Sequence, residues 1–157
     1  PFPVVSSIIN RVIDTIVEEG GIAGIHVCAD TDWSLVFSTR VGIISFDAYG
    51  YFRQLMDFAD QLKQFIDKGG LLAFGLIPTA EDLLNQETCE SLAKKWFEQL
   101  SAITALGFDE ETIYNQSFIS PTCGTGRLNF QQSTAVLEMT RSVSQKIRNS
   151  FHEPILH

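Results

Sequence analysis

Basic residues are scarce. Eleven lysines and arginines stand against 19 aspartates and glutamates, for a formal charge of -8 and an isoelectric point near 4.7. A chain of that balance repels a phosphate polyanion, which argues against nucleic acid as a partner. Cysteine is sparse as well: three in 157 residues do not make a disulfide framework, and reduced thiols suit a cytoplasmic protein. No run of about 18 apolar residues occurs, so no membrane span is expected. No signal peptide is recognised at the start, and the opening at Pro1 without a methionine leads us to expect a piece of a longer chain. Linkers, low-complexity tracts and internal repeats are missing too. What remains is 45% hydrophobic and 19% charged residues, enough apolar mass for one core.

That apolar mass is patterned. Val5, Ile8, Ile9, Val12, Ile13 and Ile16 recur at helical spacing between Val4 and Glu19, and Gly20-Gly21 supplies the stop. Continuous apolar runs at Ile22–Cys28, Val41–Asp47, Leu71–Ile77 and Phe118–Cys123 read as buried strands. Helices are predicted between them: a short one over Trp33–Ser38, then Tyr51–Asp67, then Glu87–Leu106. A last helix covers Gln131–Asn149. Strict alternation of helix and strand predicts a parallel sheet in βα units. Four strands are half of what a closed (β/α)8 barrel requires, and such a barrel takes about 250 residues. The fold class expected is therefore α/β, half of a (β/α)8 TIM barrel preceded by one helix, with residues 1–157 as a single unit. Its two open edges require either a missing N-terminal half or a homodimer.

Reactive groups in βα architectures sit at the C-terminal ends of strands. Those ends carry His26 and Cys28, then Asp47, then Pro78-Thr79, then Cys123. Side chains two apart on a strand share a face, so His26 goes with Cys28 and Ser45 with Asp47, away from Ile44 and Phe46. Imidazole, thiolates and a carboxylate make a donor set suited to Zn2+. A buried cysteine commonly serves as a small apolar filler, and that is how Cys89 reads, on a stripe with Leu92, Ala93 and Trp96. Asp30 and Asp32 offer rival carboxylates, but an aspartate just before a short helix reads as an N-cap. Trp33 and Trp96 read as core, and His152 and His157 as an exposed tail. Gly124-Thr125-Gly126 reads as a turn rather than a phosphate cradle. Tyr49 and Ser45 are candidate substrate-binding residues.

Gly24-Ile25-His26-Val27-Cys28, Val41-Gly42-Ile43-Ile44-Ser45-Phe46-Asp47 and Ser120-Pro121-Thr122-Cys123-Gly124 together resemble the catalytic domain of cobalamin-independent methionine synthase. The wider superfamily includes uroporphyrinogen decarboxylase and zinc methyltransferases acting on coenzyme M. The resemblance runs over nearly the whole chain and corresponds to the second half of that barrel. It implies a zinc site in which His26, Cys28 and Cys123 match the family's His and two Cys, with Asp47 where the family has Glu. It also implies methyl transfer to a thiol, homocysteine first, from methyltetrahydrofolate or a methylated corrinoid protein. A coenzyme M-type enzyme, and a metal-free decarboxylase-like or non-catalytic member, are the alternatives.

Overall fold

The computed structural model describes residues 2–152, with the side chains of residues 3–151. Helix α1 (Phe2–Glu18) leads into β1 (Gly24–Val27), α2 (Trp33–Phe37) and β2 (Ile43–Phe46). Helices α3 (Phe52–Met56) and α4 (Ala59–Asp67) precede β3 (Leu71–Ile77). Then come α5 (Glu81–Leu84), α6 (Cys89–Thr104), α7 (Glu110–Asn115), β4 (Ser117–Pro121) and α8 (Phe130–His152). The strands form one sheet in the order β1-β2-β3-β4, and every pair is parallel. All four predicted strands are present, each shortened or shifted slightly except β3, which matches at both ends.

Helix stops follow from backbone chemistry. Gly20, Gly69 and Gly107 adopt φ of 81°, 83° and 101°, the left-handed region open to glycine at a helix C-terminus. Gly124 and Gly126 have no positive φ, so the loop after β4 does not depend on them for its turn. The helix expected over Tyr51–Asp67 is two helices, because the chain leaves helical geometry at Asp57-Phe58. Its apolar spacing continues across that break, which is why periodicity alone joined the two. The short α5 and α7 also went unseen in the sequence. Each is little more than a turn or two, and α7 begins with an N-cap in which Asp109 accepts from Thr112 N–H at 2.7 Å.

The sheet has two unlike faces. Ile44, Phe46, Leu72, Phe74 and Leu76 are buried beneath the helices, where Phe46 packs edge-on to Trp33 and Phe74 edge-on to Trp96. Both tryptophans are core, as expected. By strand alternation the opposite face carries Gly24, His26, Ile43, Ser45, Leu71, Ala73, Gly75, Phe118 and Ser120, in which the apolar Ile43, Leu71 and Phe118 are mixed with small and polar residues. Register sets His26 beside Ser45, Ser45 beside Ala73, and Gly75 beside Ser120.

Candidate metal centre

His26 projects from β1, and Cys28 follows one residue past the strand's end. Ser45, the register partner of His26 on β2, lies with its hydroxyl 2.9 Å from His26 Nδ1. That contact engages one ring nitrogen and leaves Nε2 available for another partner. Cys123 enters from the far edge of the sheet, past β4. Its neighbour Thr122 donates its N–H to the Ile77 carbonyl at 2.9 Å and accepts from Thr79 N–H at 3.3 Å, which ties the loop to the end of β3.

The register between β3 and β4 slips by a residue from Gly75 to Ile77. Gly75 makes this approach possible. A Cβ there would stand 2.5 Å from the Phe46 carbonyl oxygen and 3.0 Å from Thr122 Cα, so only a glycine lets the end of β4 close over β3.

Neighbouring strands lie about 4.8 Å apart, so the first and fourth strands of a flat sheet would be separated by about 14 Å. Yet one ligand atom each from His26, Cys28 and Cys123 lie within 4.8 Å of one another, all three residues exposed. The curl of the sheet and the inward lean of its loops bring them together. Tetrahedral zinc, with bonds of about 2.0–2.3 Å, spaces its donors about 3.4–3.8 Å apart, so no pair need close by more than about 1.5 Å.

The electrostatics fit a cation. The Cys28 thiol is pushed above its ordinary range, first by its hydrogen bond to Cys123 and the charge of that sulfur, then by burial and by Asp47. The second sulfur so close by disfavours the Cys28 thiolate. A divalent cation removes that cost and takes both as thiolates.

Asp47 lies outside the three-residue cluster. It is half-buried, and its Oδ1 accepts the Gly50 N–H at 2.8 Å. Burial raises its pKa, while the backbone N–H groups of Gly50 and Tyr49 and the charge of His26 oppose the rise. Its field thus reaches His26 and Cys28 without its oxygens joining them. Tyr49 is directed elsewhere: its hydroxyl donates to Glu87 Oε1 at 2.7 Å, and Lys95 Nζ lies 4.5 Å from the ring centroid. That hydroxyl's pKa is pushed up to about 12, chiefly by the hydrogen bond to Glu87. Gln99 of α6, buried, donates to the Ala48 carbonyl at 2.6 Å and braces the loop between Asp47 and Tyr49.

Other expectations resolve simply. Asp32 caps α2, accepting from Ser34 N–H at 2.9 Å, while Cys89 is half-buried against the core at the start of α6. The side chain of His152 and all of His157 lie outside the described residues. Ser45, a candidate for substrate contact, touches His26, and the parallel register that pairs them was the signal for that contact. Gly75, Thr122 and Gln99 carried no such signal, since each acts through a neighbour distant in sequence. Among the described residues no helix is long and apolar enough to cross a membrane. No family model matches the chain, and comparison with curated proteins and with solved structures found no match either.

Proposed function

We infer that this chain is the zinc-binding part of a methyltransferase that alkylates a thiol, with homocysteine as the acceptor and methionine as the product. One observation carries the reading: an imidazole and two sulfurs, drawn from opposite edges of the sheet, converge within 4.8 Å of one another. His26, Cys28 and Cys123 would hold the ion, with the Asp47 carboxylate close by as added negative charge. The frame is the C-terminal half of a (β/α)8 barrel, with the site at the strands' C-terminal rim.

Zinc, when bound, supplies a Lewis acid that keeps the acceptor thiol ionised at neutral pH, where a free thiol with a pKa near 8.5 is mostly protonated. The chain's own residues tune that effect. Two thiolates and a carboxylate outweigh a 2+ charge, so the acceptor sulfur retains its electron density and its nucleophilicity. Ser45 holds the imidazole through its Nδ1, and Asp47 adds negative charge near it. In the transfer, the sulfur forms an S–CH3 bond as the donor's bond to that methyl breaks, the bonding pair staying on the donor. The thiol proton leaves for solvent. Methyltetrahydrofolate and a methylated corrinoid protein are the two donors of suitable chemistry.

Metal analysis under reducing conditions tests the reading. Purified protein should retain about one zinc per chain, and Cys28→Ser and Cys123→Ser should each lose it. Protein that binds no stoichiometric zinc would overturn the proposal and favour a metal-free reading of the fold. Methyl transfer to homocysteine, compared with coenzyme M as acceptor, then identifies the thiol.

A further inference from the structure

Of the three cysteines, Cys28 and Cys123 are exposed and Cys89 is half-buried. The sulfurs of the first two lie within 4.8 Å of each other and share a hydrogen bond. Cys89 stands apart, packed against the core in the first turn of α6, where its charged neighbours are Glu90 and Lys146. A disulfide has an S–S length of about 2.05 Å, so the exposed pair need close by no more than about 2.8 Å. The surrounding backbone permits that. Strand pairing ends at Val27 on β1 and at Pro121 on β4, so both cysteines lie in loops beyond the ladder. Past Cys123, a Cβ on Gly124 or Gly126 would meet nothing within 4 Å, which leaves this loop room to adjust.

We propose that Cys28 and Cys123 form a redox pair, which a peroxide converts to an intramolecular disulfide that excludes zinc and which a thiol reductant restores. The bond rests on the placement of the sulfurs alone, whereas its effect on zinc rests on the function inferred above. One sulfur, as thiolate, attacks a peroxide oxygen. An S–O bond forms and the O–O bond breaks, its electron pair leaving on the distal oxygen, which takes up the thiol proton and departs as water. The second sulfur attacks the resulting sulfenic acid. An S–S bond forms, the S–O bond breaks, and the hydroxide takes the second thiol proton as another water. The two sulfurs give up one electron each, and the peroxide takes both. A disulfide offers no thiolate, the form that ligates a metal, so His26 alone would remain of the three donors. Metal and disulfide join the same two strands, β1 and β4, so oxidation empties the site while keeping the outer edges of the sheet tied. A site open to an acceptor thiol also admits hydrogen peroxide, the smaller molecule.

Hydrogen peroxide added to the reduced chain in chelator, followed by alkylation, peptide mapping and intact mass, tests this. Two of the three thiols should escape alkylation, the mass should fall by two hydrogens, and the linked peptides should carry Cys28 and Cys123. Cys89→Ser should leave the bond unchanged and Cys123→Ser should abolish it. The oxidised chain should keep native circular dichroism, bind no zinc, and regain zinc binding after dithiothreitol. Free zinc at 100 times its dissociation constant leaves about 1% of the chain metal-free, so the bond should then form about 100-fold more slowly. Sulfinic acid in place of the bond, a disulfide involving Cys89 or joining two chains, an oxidised chain that still binds zinc, or an equal rate with zinc bound would each overturn the inference and leave the zinc reading standing. A Cys28–Cys123 disulfide in a chain that binds no zinc even when reduced would overturn the function above and this control of it, leaving the redox pair.

Discussion

His26 has two ring nitrogens, and the Ser45 hydroxyl occupies one of them. A ligand imidazole whose second nitrogen is held presents the first in a fixed direction and tautomer, so loss of the holder weakens metal binding without touching a ligand. Ser45→Ala should lower zinc affinity about 10- to 100-fold in a chelator competition, with Ser45→Thr recovering part of it and the melting temperature of the metal-free protein little changed.

Tyr49 makes the other residue-scale case. Its pKa, about 12, is raised above the usual value near 10, so the folded state favours the neutral phenol. The stability this supplies is complete below about pH 10 and disappears as pH rises through about 12. The urea midpoint of the wild type should therefore fall steeply across that window. Tyr49→Phe should flatten the fall and cost about 1 kcal/mol at neutral pH through the lost bond to Glu87.

At the scale of elements, β3 decides the site although it contributes no ligand. Its Gly75 leaves room for the end of β4, and Thr79 and Ile77 at its C-terminal end hold Thr122, and with it the approach to Cys123. Gly75→Ala would drive a methyl into two backbones at once, and neither can rotate aside as a side chain would. We expect a cost of about 2–4 kcal/mol in urea unfolding, with zinc binding weakened in the fraction that still folds. The alternation of helix and strand was readable because continuous apolar runs and 3.6-residue stripes each have a short-range cause. The break at Asp57-Phe58 and the short α5 and α7 were not: a helix of four to six residues spans too few turns to build a periodic signal.

For the molecule as a whole, ligation would join the two outer strands of the sheet, because Cys28 follows β1 and Cys123 follows β4. An ion bound only by the folded arrangement stabilises it by mass action, by about 2.7 kcal/mol at a free concentration 100 times the dissociation constant. For a chain of this length that corresponds to about 5–10 °C in melting temperature. Calorimetry with and without EDTA should show that difference, and Cys123→Ser should abolish it.

Local sequence determined the helix stops, the parallel βα order and the identity of His26, Cys28 and Cys123 as residues at strand ends, since each depends on neighbours a few positions away. Only tertiary structure decided that those three meet, that Ser45 serves the imidazole and that Asp47 stands outside the cluster. Such placements arise from sheet curvature, register and the close approach at Gly75, which join residues up to 97 positions apart and leave no periodic trace in the chain.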